Sequence, residues 1–105
     1  MPTTSLPKTF THMQQRHPKL AEAIDNLGKA VKQEGPIEAK TAQLIQLAAA
    51  ASIRSEGAVH SHARQARNAG ASPDEIHHAI ILLTSTIGFP AVMAALSWID
   101  TSLGD

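Results

Sequence analysis

Apolar residues recur along this 105-residue chain every three or four positions, and strand-type alternation is absent. The spacing predicts an amphipathic helix over Pro18–Gln33, which Gly35-Pro36 ends. Its apolar positions are Leu20, Ile24, Leu27 and Val31. A second helix is expected over about residues 38–53. A third is expected over about residues 56–69, ending at Gly70, a residue suited to a left-handed C-terminal cap.

The segment Ser72-Pro73-Asp74-Glu75 predicts the start of a fourth helix most sharply. Ser72 suits the N-cap, Pro73 the first helical position, and Glu75 completes a capping box. A fifth helix is expected over about residues 90–101. Both of these helices are apolar on nearly every face, so each must be buried all round. One small subunit cannot do that, and we expect a homo-oligomer that buries the fourth or fifth helix against a copy of itself.

These elements predict an all-α fold, a compact bundle of about five or six helices forming one domain over residues 1–105. Residues 1–17 are expected to be a loosely packed N-terminal arm. Residues 79–99 carry no charge, which is about the length of a membrane span. The Gly88-Phe89-Pro90 step divides them, because proline disfavours helix for the residue before it, so two short helices are expected and no membrane span.

Composition removes several classes of function. Nine basic and nine acidic residues give a formal net charge of zero, which argues against binding to nucleic acid or to an anionic membrane. The absence of cysteine excludes disulfides, thiolate nucleophiles and dithiol redox chemistry. The first ten residues lack the apolar segment of a signal peptide, so a cytoplasmic location is expected.

Titratable side chains concentrate on the third predicted helix, which carries Glu56, His60, His62 and Arg64. Glu56 and His60 lie four residues apart and can pair on one face. His60 and His62 point about 200° apart on an ideal helix, so they cannot chelate one ion.

The adjacent His77 and His78 diverge by about 100°, which disfavours a shared ion. A first-turn pairing of histidine with Asp74 is expected instead, and no metal site is predicted.

Three segments together carry a family resemblance: residues 37–45, residues 62–76, and Gly88-Phe89-Pro90-Ala91. Their order and spacing resemble the carboxymuconolactone decarboxylase family, which includes the alkylhydroperoxidase D-like proteins. The resemblance implies an all-helical fold that assembles into trimers or hexamers.

The peroxidase-type members of that family carry a Cys-x-x-Cys motif and a glutamate beside the histidine that matches His62. Here Ser55 and Ala58 stand at the cysteine positions and Gln43 at the glutamate. A hydroxyl and a methyl group cannot cycle through a disulfide, so thiol peroxidase activity is excluded. The decarboxylase-type members lack those cysteines. Their namesake reaction needs a donor at the developing oxyanion and an acid that protonates carbon, but no cofactor.

The resemblance implies a cofactor-free lyase acting on a small organic acid or lactone, with His62 as acid or base. Gln43 would donate to the oxyanion or orient His62. An arginine, Arg54 or Arg64, would hold a carboxylate, and substrate binding would extend to Glu56 and His60.

Structural alternatives remain open for each of these residues. His62 would fix helix packing, Gln43 would face solvent, Glu56 would stabilise its helix through the dipole, and the arginines would be solvated. The whole chain would then be an oligomeric binding or scaffold protein that has lost catalysis.

Overall fold

The computed structural model describes residues 8–104, and seven helices account for most of them. In chain order these are α1 (Lys8–Arg16), α2 (Pro18–Gln33), α3 (Ala39–Ser52), α4 (Glu56–Asn68), α5 (Pro73–Ile81), α6 (Thr84–Ile87) and α7 (Phe89–Ser102). No strand occurs in this part of the chain. The all-α prediction is confirmed.

The core lies where α3, α4, α5 and α7 meet. Its largest fully buried side chains are Leu47, Val59, Ile76, Ile80, Val92 and Ile99. Small buried residues lie between them, among them Ala50 and Ala51 on α3 and Ala63 and Ala66 on α4. Because alanine adds little bulk, α3 and α4 pack closely, and this close pair carries the residues of the candidate site.

The predicted start of the fourth helix is confirmed in α5. The Ser72 hydroxyl accepts from the Glu75 backbone N–H at 3.1 Å, and Glu75 Oε1 accepts from the Ser72 N–H at 2.9 Å. Lys40 of α3 donates to the same carboxylate at 3.1 Å. These bonds, the Ser72 N–H first and Lys40 next, hold the pKa of Glu75 below its ordinary value.

The uncharged stretch over residues 79–99 is divided among α5, α6 and α7, as the Gly-Phe-Pro step predicts. Gly88 has φ +92°, a backbone conformation that only glycine adopts readily, and it separates α6 from α7. The short α6 is a turn that the sequence did not predict. Within residues 8–104, no helix has the length and apolar character that crossing a membrane requires.

The N-terminal segment contains more helix than the sequence predicts. Lys8–Arg16 form α1, which packs on α2 and has no buried residue. Residues 1–7 of the expected arm lie outside the described part of the chain.

Helix α2 follows its predicted bounds, Pro18–Gln33, but its apolar stripe is exposed. Leu20, Ile24, Leu27 and Val31 expose between 46% and 63% of their surface. The sequence predicted that the helices now seen as α5 and α7 are the ones that a second subunit buries. Those helices bury one side in the core and expose Ile81, Phe89 and Met93, whereas α2 exposes its entire stripe.

Candidate functional site

A half-open cavity of about 510 Å³ lies between α2, α3 and α4, with Phe10 of α1 at its edge. Its size falls within the range usual for small-molecule sites, roughly 300–1,000 Å³. The lining residues are Phe10, Ile24, Asp25, Gly28, Lys29, Lys32, Gln43, Gln46, Ser61, His62 and Gln65. His62 and Gln43, which the sequence singled out on two different helices, therefore lie in the same cavity wall.

A chain of hydrogen bonds orients the His62 ring. Nδ1 of His62 lies 2.8 Å from Oε1 of Gln43, and the Gln43 amide donates to Oε1 of Gln65 at 3.0 Å. The Gln65 amide in turn donates to the Ser61 hydroxyl at 2.9 Å. Since Gln43 Oε1 is an acceptor, Nδ1 of His62 carries the ring hydrogen and Nε2 keeps its lone pair.

Gln43 is 4% exposed, so its amide is fixed within the protein rather than in solvent. Its nitrogen is engaged with Gln65, and its oxygen with the ring of His62. Of the two roles considered for Gln43, this geometry favours orienting His62 over donating to a substrate oxyanion.

The electrostatics of the cavity favour a neutral imidazole. Burial lowers the pKa of His62 below its ordinary value, and the charge of Lys32 lowers it further. Among residues 8–104, Nε2 of His62 has no hydrogen-bond partner. The lowered pKa favours the uncharged ring. Because the ring also lines the cavity and its Nε2 is not engaged, it can act as a base.

Two lysines of α2 line the same cavity in different states. Lys29 pairs with Asp25 at 3.0 Å. Lys32 is half-buried and makes one long hydrogen bond, 3.4 Å, to the carbonyl oxygen of Gly28. No carboxylate in the described ranges pairs with Lys32.

A second histidine cluster lies on the other side of α4. Nδ1 of His60 hydrogen-bonds to the buried hydroxyl of Ser102 on α7, and Nε2 lies 3.2 Å from Glu56. Both ring nitrogens are thus engaged. His60 and Glu56, expected to bind substrate, lie outside the His62 cavity. His60 links α4 to α7, and Glu56 pairs with His60 within α4.

Neither arginine expected to hold a carboxylate lines the cavity. Arg54 is exposed in the α3–α4 turn, where its φ of +56° is unusual for a residue with a side chain. Arg64 is half-buried on α4, and burial lowers its pKa. It is two residues beyond His62, so it points about 200° away from the cavity.

The cavity lining contains three residues that were not predicted as site residues from the sequence, namely Lys32, Gln65 and Ser61. Gln65 and Ser61 carry a signal in the sequence, because Gln65 lies three residues after His62 and four after Ser61, and both spacings bring side chains together on one helix face. Lys32 carries none, since nothing in the local sequence tells where the end of α2 lies relative to α3 and α4.

The adjacent histidines of α5 were considered as metal ligands, and one of them, His77, has both ring nitrogens engaged. His77 Nδ1 lies 2.8 Å from the Pro73 carbonyl oxygen, and Nε2 lies 2.8 Å from Asp100 of α7. Asp100 is a partner that the sequence did not predict, because α7 brings it beside the ring. Across residues 8–104, no cluster of three histidine or carboxylate side chains fits a metal ion.

A comparison with models of protein families finds a match that includes most of these helices. The model of the carboxymuconolactone decarboxylase family matches residues 18–101, which include α2 through most of α7. An uncharacterized protein of Haemophilus influenzae is 36% identical over 64 residues. That match covers 61% of this chain and 57% of the relative, so the chain spans little more than half of that protein's length.

Proposed function

The chain belongs to the carboxymuconolactone decarboxylase family, and from this premise we propose that its His62 cavity is the active site of a cofactor-free, decarboxylase-like lyase. The substrate is a small organic acid or lactone. The observation that carries the proposal is the state of His62: a neutral ring, held at Nδ1 by a buried amide, with Nε2 unengaged beside a cavity large enough for such a molecule.

The chemistry asks for a group that exchanges one proton near neutral pH. In a decarboxylation, the bond between carbon and the carboxylate breaks and carbon dioxide leaves. The electron pair moves through the conjugated double bond to the lactone carbonyl, and carbon then takes a proton. Nε2 of His62 is bare in the neutral ring, so it first takes up a proton from solvent when the substrate binds. It then delivers that proton to carbon, which returns the ring to its neutral form. Gln43 is the positioning residue, because it fixes the ring through Nδ1.

Absence of cysteine leaves the thiol peroxidase branch of the family aside, since no disulfide can form. The alternative is a binding or scaffold protein without turnover. A scaffold would be favoured by a filled, dry helix junction around His62, whereas the residues around His62 form a half-open cavity.

The test is release of carbon dioxide from a panel of small lactones and unsaturated organic acids, beginning with 4-carboxymuconolactone. Once a substrate is verified, His62→Ala should lower turnover by about 10²–10⁴-fold with folding unchanged. His78→Ala, the same substitution at an exposed α5 position, is the matched control and should retain turnover. An unchanged rate in His62→Ala would remove His62 as the catalyst. A panel that binds without reacting would favour the scaffold.

We also propose that the protein is a homo-oligomer, a trimer or a hexamer by family resemblance. The exposed α2 stripe supports this, because four large apolar side chains on one helix face are costly to leave in water. Sedimentation velocity at micromolar concentration tests it, and a monomer would contradict it.

A further inference from the structure

Lys32 is a cation in the cavity wall whose charge is not compensated. The residue is half-buried, and its hydrogen bond to Gly28 is long and made to a neutral oxygen. Lys29, one turn away on the same helix, satisfies its charge with Asp25. The two lysines therefore differ in partner, although both line the same cavity.

The residues around Lys32 offer it no unpaired negative charge. Partial burial weakens the hydration of an ammonium group, and this cost is recovered when an opposite charge pairs with it. The cavity residues contributed by α3 and α4 are amides, a hydroxyl and the neutral His62 ring, none of which carries a negative charge. Asp25, the acidic group of the lining, is engaged with Lys29.

We propose that Lys32 is the anion anchor of the cavity: its Nζ binds the carboxylate of a small organic anion and holds that molecule against Nε2 of His62. This role replaces the one that sequence reasoning gave to Arg54 or Arg64, which lie outside the cavity. The inference deepens the proposed function by assigning its carboxylate contact, yet it depends on binding and not on turnover.

The same arrangement couples binding to protonation. While its charge is uncompensated, Lys32 contributes to keeping the pKa of His62 low. A carboxylate on Lys32 cancels that charge, so the pKa of His62 rises when the anion binds. The facing charges are Lys32, Lys29 and Asp25 on α2, and the latter two pair with each other. Anion binding therefore takes up a proton, and affinity increases as pH falls toward the pKa that His62 has in the anion-bound state. The protonated ring is the acid that carbon needs after carbon dioxide leaves.

Benzoate and benzamide are suitable probes, because they have nearly the same shape and only benzoate carries a charge. Titration of each into ¹⁵N-labelled protein, followed by chemical shifts, gives the two dissociation constants and the His62 titration curve. Benzoate should bind at least about tenfold more tightly than benzamide. It should also move the His62 titration to higher pH.

Lys32→Gln and Lys29→Gln are the matched pair, since each removes one positive charge from the same helix and the same cavity wall. Lys32→Gln should weaken benzoate binding about tenfold or more, while Lys29→Gln should change it less than about threefold. Lys32→Arg should retain most of the binding, which separates charge from shape.

Equal losses in the two glutamine variants would overturn the proposal, because the effect would then be general electrostatics. So would benzoate binding that Lys32→Gln leaves intact. These outcomes are independent of the lyase assignment: turnover that depends on His62 while Lys32→Gln binds normally would refute the anchor alone. Benzoate binding that depends on Lys32 without any turnover would refute the lyase alone.

Discussion

His60 and His62 lie two residues apart on α4, yet they belong to two very different environments. On one side of the helix, both nitrogens of His60 are engaged, by Ser102 of α7 and by Glu56 of the first turn. On the other side, Gln43 engages one nitrogen of His62, and the second has no partner in the described part of the chain.

The comparison shows what separates a structural histidine from a candidate catalyst on the same helix. A ring with both nitrogens engaged has no lone pair or proton to offer a ligand, so it stabilises the fold. A ring fixed through one nitrogen is positioned and still has a reactive atom. Sequence position, burial and residue type are nearly the same for the two residues. Hydrogen-bond occupancy is the difference.

The largest expected effect on stability comes from replacing His60, the histidine with both nitrogens engaged. His60→Ala removes the partner of the buried Ser102 hydroxyl, and an unsatisfied buried group costs about 1–3 kcal/mol. We expect His60→Ala to lower the free energy of unfolding in urea by that amount. His62→Ala also removes a partner, that of Gln43 Oε1, but water in the half-open cavity can take the place of the ring, so it should cost less.

Glu56→Gln is the control for this cluster. Its side chain is 59% exposed and its amide can still bond to His60, so the change should stay within about 0.5 kcal/mol. If His62→Ala were the more damaging of the two histidine variants, the division into a structural and a functional side would be wrong.

The next prediction concerns Gln43, whose amide orients His62. Gln43→Leu keeps the size of the side chain but leaves the ring N–H and Gln65 Oε1 without their partner. We expect a loss of about 1–2 kcal/mol in unfolding free energy, together with lower turnover of any verified substrate.

Gln46→Leu provides a matched control on the same helix. Gln46 Oε1 is buried with no hydrogen-bond partner among the described residues. Replacing that amide with an apolar side chain should therefore be neutral or stabilising. Equal losses in both leucine variants would mean that the Gln43 hydrogen bonds contribute nothing specific.

The smallest effect is a pH dependence of stability. The pKa of His62 is lower in the folded state than in the unfolded chain, where it has its ordinary value of 6.5. As pH falls below 6.5 the unfolded state binds the proton first, so stability decreases down to the folded pKa and then levels off. Urea midpoints between pH 7.5 and 5 should fall less in His62→Ala than in the wild type. A steeper fall in the variant would contradict the shift.

Much of the fold could be predicted from local sequence. The capping box at Ser72, the proline at Pro18 and the break at Gly88 act over three or four residues, so their effects are visible in the chain itself. The short α6 was missed because apolar Leu82 and Leu83 extend the helical pattern beyond the end of α5.

Only the parts of the candidate site that follow from the family resemblance or from helix geometry could be predicted from the sequence. The family pattern pointed to His62 and Gln43, and a 200° rotation separated His60 from His62. The presence of Lys32 in the cavity wall was not predictable, because it depends on where α2 lies relative to α3 and α4. Arg54 and Arg64 are closer in sequence to His62, whereas Lys32 lies thirty positions away and reaches it through the fold.

The proposed chemistry depends on the protonation state of His62, which ¹⁵N–¹H correlation spectra of histidine-labelled protein report. At pH 7.5 the spectra should show His62 with its hydrogen on Nδ1 and a bare Nε2, and the ring should titrate below pH 6.5. A hydrogen on Nε2, or titration at or above 6.5, would contradict the positioned neutral base from which the proposed chemistry follows.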